Sequence, residues 1–184
     1  MLSTMKKTCV LVALGVVLAA TTAQGSEGRK NLQVFNDVAA SINRYDRLTI
    51  FDDVNIGVKD GDVTLTGEVT LPLKRDDIEK RVAKVDGVQA VRNRITVLPV
   101  SPFDDQLRVR LARSIYGNYN FWNYGGANPS IHIVVENGHV TLAGVVNSEL
   151  DRRLAESTAT QFGVMSLKNE LKTDAEIKEA LERL

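Results

Sequence analysis

The sequence contains a single cysteine and two histidines among 184 residues, and this scarcity limits the chemistry it can support. Cys9 lies in the first apolar run, so the remainder of the chain cannot form a disulfide bond and must rely on an apolar core, even where export would permit disulfides. The sequence also lacks a Gly-x-Ser-x-Gly turn for a nucleophilic serine and a glycine-rich phosphate loop. We therefore predict a protein that is not an enzyme and uses no cofactor.

The chain has no excess of either charge, because 23 basic side chains balance 23 acidic ones. Domains that bind nucleic acid carry clustered basic residues and a net positive charge. The composition therefore excludes nucleic acid as an expected partner.

The one long apolar run lies at the amino end and is typical of a secretory signal peptide. Two lysines precede residues 9–20, which are almost all apolar, and small residues follow. The run is too short to predict a membrane-spanning helix. We predict a signal peptide over residues 1–25, cleaved after Ala23 or after Gly25, and an exported, periplasmic protein that can associate peripherally with a membrane.

An internal repeat dominates the rest of the sequence. Residues 54–69 and 131–146 align without gaps and share eight of sixteen positions. Each segment contains a turn dipeptide, Asp60-Gly61 or Asn137-Gly138, between alternating apolar residues. This pattern predicts two β-hairpins, each with a two-residue turn.

The two-residue turn fixes the strand register of each predicted hairpin. Ile56 should lie opposite Leu65, with an equivalent pair in the second copy, so that the apolar residues share one face. Gly67 and Gly144 fall on that same face. A glycine there usually marks the close approach of another backbone, and we expect a helix packed over the sheet to be the cause.

Helical patterns flank both hairpins. Apolar residues recur at helical spacing before them, at Val34, Val38 and Ile42 and at Leu107, Leu111 and Ile115. Further helical stretches follow the hairpins at residues 75–85 and 150–161, and a third strand ends each copy. We expect Asp104 to be the N-cap of the second copy's first helix. The predicted fold class is α+β, with two tandem αββαβ modules, each a three-stranded mixed sheet with two helices on one face.

These elements give the predicted domain limits. The first module covers residues 31–98, and a linker stiffened by proline covers residues 99–103. The second module covers residues 104–172, and a C-terminal helical tail covers residues 173–184. Roles in turns and packing are expected for Gly61, Gly67, Gly138, Gly144, Asn93 and Asn169. For the two asparagines, which recur in the third strand, we favour bonds to nearby backbone over ligand binding.

This arrangement resembles the BON-domain family, named for bacterial osmotic-stress and nodulation proteins. The matching segments are VKDGDVTLTGEV and VENGHVTLAGVV, together with GVQAVRN and GVMSLKN, and the resemblance covers residues 31–172. It implies an envelope protein linked to osmotic or envelope stress, phospholipid binding as in some members, and no catalytic residues. The sequence departs from a simple repeat at one place, where the second copy has four extra residues between its first helix and its hairpin.

Neither histidine offers a shared metal site. In the predicted hairpin His139 pairs with Glu136, and His132 lies four residues further along that strand, roughly 13 Å away at about 3.3 Å per residue. Ligands of one zinc ion must each lie within about 2.1 Å of it. We therefore predict no metal site.

The four extra residues fall in a segment rich in aromatic residues, YGNYNFWNYGG at 116–126. Such side chains favour the headgroup level of a membrane or a protein interface, or they fold back as a small core over the second module; both interpretations stay open. The candidate lipid or partner contacts are Tyr119, Phe121, Trp122 and Tyr124. A bilayer contact is expected first at Phe121 and Trp122.

Basic residues gather on the second helix of the first module, at Lys74, Arg75, Lys80, Arg81 and Lys84. An anionic lipid surface attracts each by about 1 kcal/mol. Interleaved acidic residues favour a solvated helix face instead, and we retain Lys80 and Lys84 as candidate lipid contacts.

The outer face of the second hairpin is unusually apolar. Val134, Ala143 and Val145 stand where the first copy has Gly57, Thr66 and Glu68. An apolar open face suggests a cover, whether the first module, another chain or lipid. We predict that the second module is the interacting one, with Val134 and Val145 as partner contacts.

Two functions follow. The first is a non-catalytic envelope protein that binds anionic phospholipid or the membrane surface under envelope or osmotic stress. The alternative is a soluble periplasmic module that binds envelope proteins or acts like a chaperone. Salt distinguishes them, because headgroup binding weakens with ionic strength whereas apolar contacts hold.

Overall fold

The computed structural model describes residues 20–126, 129–161 and 163–182. It confirms an α+β fold built from two successive modules of one plan. Most of the predicted signal peptide, residues 1–19, lies outside the described residues, and its cleavage stays a prediction.

Each module consists of a helix, a hairpin, a second helix and a divided third strand. The first module contains α1 (Ala20–Asn43), β1 (Asp53–Lys59), β2 (Asp62–Val69), α2 (Pro72–Val82), β3 (Ala90–Asn93) and β4 (Thr96–Val97). The second contains α3 (Pro102–Tyr116), a 3₁₀ helix (Tyr119–Tyr124), β5 (Ile131–Glu136), β6 (His139–Val146), α4 (Glu149–Ala159), β7 (Ser166–Asn169) and β8 (Lys172–Thr173). A last helix, α5, covers Asp174–Glu182.

The hairpin registers are those expected from the turns. Ile56 pairs with Leu65, and Gly144 lies opposite Ile131. Both residues of each turn have positive φ, as in Asp60 at +53° and Gly61 at +84°, which is the geometry of a type I′ turn. In each sheet the middle strand also pairs in parallel with both pieces of the third strand.

The predicted cause of the strand glycines is wrong. Gly67 and Gly144 have φ of +108° and +110°. A side chain at Gly67 would strike the backbone carbonyl of Asp53 on the neighbouring strand, and one at Gly144 would strike that of Ser130, just before the neighbouring strand, so the obstacle is not a helix. Glycine is needed because the backbone itself is left-handed and close-packed at this point.

Each module buries its own apolar core between the sheet and its two helices. The first core is formed chiefly by Val38, Ile42, Val63, Leu65, Ile78 and Val82. The second is larger and includes Leu107, Leu111, Ile115, Phe121, Ile133 and Leu142. The helix spacing in the sequence therefore identified the core residues of α1 and α3 correctly.

Asp104 is not the N-cap of α3, which begins earlier than expected. Ser101 occupies that position, and its hydroxyl accepts the backbone N–H of Asp104 at 3.2 Å. The Asp104 carboxylate is fully buried and accepts the N–H groups of Asn137 and Gly138, each at 2.8 Å. It therefore holds the hairpin turn rather than the helix end.

Candidate functional site

The aromatic segment after α3 divides into buried and exposed halves. Phe121 and Tyr124 point into the second core, whereas Tyr119 is 84% exposed and Trp122 is 70% exposed. The expectation that Phe121 contacts a bilayer is therefore corrected, since its side chain has no exposed surface. The core interpretation is confirmed for Phe121 and Tyr124, while a membrane or protein contact by the exposed Tyr119 and Trp122 stays a prediction.

Tyr124 anchors this 3₁₀ helix to the rest of the module. Its hydroxyl donates to the Asp151 carboxylate at 2.8 Å and accepts the backbone N–H of Asn147 at 2.9 Å. Its ring lies 5.9 Å from that of Phe121. Trp122 therefore lies on a 3₁₀ helix that the contacts of Tyr124 fix to the rest of the module.

Tyr116, at the end of α3, fixes the start of the same segment. Its hydroxyl donates to the carbonyl of Ile131. Burial raises the pKa of Tyr116 to about 12, although its backbone hydrogen bond lowers it. The phenol is therefore neutral under all physiological conditions.

The basic residues of α2 do not form one surface. Lys74 is buried and donates to Asp52 at 2.6 Å and to Thr70 at 2.7 Å. Arg81 lies over the ring of Tyr45, 4.8 Å from its centroid. Only Lys80 and Lys84 are exposed and available as predicted. The burial of Lys74 depends on a partner twenty-two positions away, which no local sequence pattern indicates.

Lys80 and Lys84 line a surface groove between α1 and α2. Other cations there are Arg44, Arg47 and Arg81, and the acidic residues are Asp37, Asp46, Asp77 and Asp86. The Tyr45 hydroxyl donates to Asp77 at 2.8 Å across the groove. Because the signs nearly balance, this groove offers an anion only weak net attraction.

The apolar outer face of the second sheet is covered within the chain. Val134 and Ala143 are each only 6% exposed. The first module reaches this edge, where the N–H of Ile133 donates to the carbonyl of Ile50 at 2.6 Å. The first module therefore supplies part of the cover that the apolar face was expected to have. Val134 is not a free contact surface, and Val145 beside it is half-buried.

The outer faces of the two sheets lie close enough for their charges to interact. Burial raises the pKa of the Glu68 carboxyl, and the negative charge of its neighbour Asp53 raises it further. The charges of Glu170 and Glu136, both in the second module, act in the same direction. The positive charge of Lys168 acts in the opposite direction, so the junction between the modules carries several carboxylates and one lysine beside its apolar part.

The two histidines lie apart, as expected. The Nδ1 atom of His132 is buried at the module junction without a hydrogen-bond partner among the described residues. His139 shares a hydrogen bond with the Ser166 hydroxyl at 2.6 Å. Over the described ranges, no cluster of three or more His, Cys, Asp or Glu residues could hold a metal ion.

Asn93 and Asn169 occupy equivalent positions and make equivalent bonds. The Asn93 amide donates to the carbonyl of Arg75 at 3.1 Å and its oxygen accepts the N–H of Ile95 at 3.1 Å. Asn169 donates to the carbonyl of Arg152 at 3.0 Å. These side chains tie the break in each third strand to the second helix of its module.

A family model described as the BON domain matches the chain twice, over residues 36–99 and 104–175. No curated protein matches this chain. Two similar solved structures are of CdsD, a structural protein of the type III secretion system of Chlamydia trachomatis. Both are 14% identical to this chain. The C-terminal domain of CdsD has a TM-score of 0.34, and the match covers 83% of this chain and 70% of that one. The second structure has a TM-score of 0.29, and the match covers 82% of this chain and 97% of that one.

Those TM-scores are too low to support an argument. In the part of the chain that the structure describes, no helix is both long and apolar enough to cross a membrane. The two family matches together cover well over half of the chain. The chain therefore belongs to the BON-domain family and carries two copies of the domain.

Proposed function

We propose that this protein is an exported, non-catalytic envelope protein that docks on anionic membrane surfaces through the 3₁₀ helix Tyr119–Tyr124 of its second module, which we call the aromatic turn. The observation that carries the proposal is the exposure of Tyr119 and Trp122 on a turn anchored by buried Phe121 and Tyr124. Tyrosine and tryptophan are enriched at the headgroup level of membranes. An anchored turn loses little conformational freedom when it binds, which favours affinity.

Charge adds the preference for anionic lipid. Lys80 and Lys84 are exposed and form no ion pair with another described residue. Each contributes about 1 kcal/mol near an anionic surface at most, and the acidic residues beside them reduce this. Membership of the BON-domain family supports an envelope location, and the link to osmotic or envelope stress rests on that membership alone.

The test is co-sedimentation of the processed protein with anionic and zwitterionic vesicles at low and high salt. Trp122 is the only tryptophan, so its fluorescence reports on this turn alone. We expect binding to anionic vesicles that weakens with salt, together with a blue shift. Absence of both would favour the alternative, a protein-interaction module.

Substitution assigns the contact to this turn. Trp122→Ala should abolish most vesicle binding. Leu150→Ala is the matched control, because Leu150 is similarly exposed, at 74%, but lies at the start of α4. Equal loss of binding in both variants would contradict the assignment of the surface.

A further inference from the structure

The two hairpins differ in whether their first strand has an open edge. In a hairpin closed by a two-residue turn, alternate residues of each strand direct both the N–H and the C=O away from the partner strand. We call these outward groups of the first strand the outer edge of the hairpin. The residues that carry them are Ile131, Ile133 and Val135 in β5, and the equivalent Val54, Ile56 and Val58 in β1.

The outer edge of β5 is closed by contacts within the chain. Arg108 of α3 donates to the carbonyl of Val135. Tyr116 of the same helix donates to the carbonyl of Ile131. The N–H of Ile133 is bonded to the first module, as described above. These bonds use the groups that a further strand would need, so β5 is not free to pair.

The outer edge of β1 has no such contacts. Among the described residues, none forms a hydrogen bond with the outward N–H and C=O groups of its three edge residues. The positions of α1 that correspond to Arg108 and Tyr116 are Phe35 and Asn43. Phe35 has no group that can donate, and Asn43 makes no bond to β1 within the described ranges. β1 is therefore an unpaired edge strand of seven residues.

β1 also lacks the features that usually prevent an edge strand from pairing. Natural edges are blunted by short strands, bulges, proline or charges. The third strand of each sheet is short, because it is divided into pieces of four and two residues. β1 has no proline and no bulge in its register with β2, and its only charged residues are at its two ends, Asp53 and Lys59. Of the sheet edges in the described residues, β1 is the one best suited to pairing.

The second module does not obstruct the start of this edge. Asp53, Val54 and Asn55 line a groove of about 960 Å³ whose other side is formed by the second module. Further along β1, Gly57 and Lys59 are exposed on its outer face. Another strand can therefore approach β1 over its whole length.

The sequence of β1 is complementary to itself when two copies run antiparallel. If a two-fold axis passes through Ile56, this residue faces its own copy and Val54 faces Val58. Residues that face each other in this way exchange two backbone hydrogen bonds, and pairs of β-branched side chains stabilise a sheet. The same register places Asp53 of each copy opposite Lys59 of the other.

The charges at the ends of β1 favour this register. Lys59 forms no ion pair with another described residue, because Asp62 opposite it pairs with Arg92. Asp53 lies opposite Glu68, whose pKa is raised by burial and by the charge of Asp53. A lysine on the open side of Asp53 would offset this repulsion between two carboxylates.

We propose that the protein forms a symmetric dimer in which two β1 strands pair antiparallel about Ile56 and join the sheets of the two first modules. The inference does not depend on membrane docking, because the aromatic turn belongs to the second module. One strand edge buries less surface than a standard protein interface, which covers about 1,600 Å². The dimer is therefore weak, and its population depends on protein concentration.

Sedimentation velocity of the processed protein measures this association. Concentrations from about 1 μM to about 1 mM cover the range of weak dimers. We expect the mass to rise from monomer to dimer and to stop there, because a two-fold pairing occupies both edges. A monomer at every concentration would overturn the inference and leave the edge for an extended segment of another protein.

Disulfide trapping tests the register, since the chain after the predicted signal peptide contains no cysteine. In the proposed dimer Asn55 lies opposite Gly57, with Cα atoms about 4.5 Å apart, which a disulfide can span. Two copies of either residue are diagonal neighbours, about 7–8 Å apart, which is too far. A Cβ at Gly57 would meet only the carbonyl of Thr64, at 3.9 Å, so the site accepts a side chain.

Oxidation of a mixture of Asn55→Cys and Gly57→Cys chains should therefore give a covalent dimer. Oxidation of either variant alone should not. A covalent dimer from one variant alone, or none from the mixture, would contradict the register about Ile56.

A proline variant tests the backbone pairing. Ile56→Pro removes the central outward N–H, and an edge strand tolerates proline where its N–H faces solvent. We expect Ile56→Pro to remain monomeric at every concentration while keeping the circular dichroism spectrum of the wild type. Ile56→Val is the matched control and should dimerise like the wild type. A dimer that persists in Ile56→Pro would overturn the inference.

Charge variants test the strand ends and do not alter the backbone. Lys59→Glu should raise the dimer dissociation constant by about tenfold, because it replaces two opposite-charge pairs with two like-charge pairs. Adding Asp53→Lys to the same chain should restore dimerisation, since the pairs are then reversed. Lys84→Glu makes the same change of charge on α2 and should have no effect. Failure of the double variant to recover would overturn the proposed pairing.

Discussion

The two modules solve one structural problem in different ways. In each, the first residue after the middle strand has a backbone N–H that needs a buried acceptor. In the first module Thr70 donates to the Asp52 carboxylate at 2.7 Å, and in the second Asn147 donates to the Tyr124 hydroxyl at 2.9 Å. The acceptor is thus a buried anion in one module and a neutral phenol in the other.

The second helix of each module then contributes the complementary group. Lys74 of α2 neutralises Asp52, while Asp151 of α4 accepts the hydrogen of Tyr124. The second arrangement brings the four-residue insertion into the core. The insertion that presents Trp122 to solvent is therefore also what replaces the ion pair.

Among these changes, replacement of Lys74 should cause the largest loss of stability. Lys74→Met leaves Asp52 buried without its partner, and removing one member of a buried ion pair costs about 3–5 kcal/mol. Denaturant unfolding should show this loss in the first module. Arg75→Met, which breaks the exposed pair with Asp76, is the control and should cost about 1 kcal/mol or less. Similar losses in both variants would contradict the role given to the buried pair.

The corresponding change in the second module should be milder. Tyr124→Phe leaves the N–H of Asn147 without its acceptor, at a cost of about 1–3 kcal/mol. Tyr119→Phe removes an exposed hydroxyl and should leave the unfolding midpoint unchanged. If Tyr124→Phe were as harmless as this control, the phenol would not be the anchor of the aromatic turn.

The two modules should also differ in their response to pH. Burial alone would raise the pKa of Asp52, but hydrogen bonds from Lys74, Thr70 and Thr49 outweigh it and the pKa lies below its ordinary value. This stability is present above the unfolded-state pKa of about 3.9 and is lost as pH falls through the folded value. Asp52→Asn should remove this acid-sensitive part of the unfolding free energy, measured as a function of pH.

Tyr116 gives the stability of the second module the opposite dependence on pH. Its raised pKa, about 12, means that its contribution is complete below the unfolded pKa of about 10 and is lost as pH rises towards 12. Tyr116→Phe should flatten the alkaline end of the stability profile. A profile as steep as that of the wild type would contradict the burial of this phenol.

The smallest expected effect lies at the junction between the modules. Glu68 is directly opposite Asp53 in the hairpin register, and like charges so placed destabilise a sheet by about 0.2–1 kcal/mol. Glu68→Gln should therefore stabilise the protein slightly at neutral pH. Thermal unfolding at pH 7 would show a rise in midpoint, and a fall would mean that the Glu68 charge is favourably paired.

The repeat and its turns were predictable from the sequence because they depend on neighbouring residues. Turn dipeptides set the hairpin register, and helical spacing identified Val38 and Leu111 as core. The burial of Lys74 was not predictable, since it depends on Asp52, which lies far away in the sequence. The separation of Phe121 from Trp122 likewise depends on how a short 3₁₀ helix sits on the second core, which no periodicity encodes.

Depth-dependent quenching of Trp122 fluorescence tests the central claim most directly. The processed protein would be bound to anionic vesicles that contain lipids brominated at different depths along the acyl chain. The account predicts quenching that is strongest for bromines nearest the headgroups and weaker for deeper ones. Protein that co-sediments with the vesicles while Trp122 is not quenched at any depth would contradict it, because the membrane would then be bound by another surface.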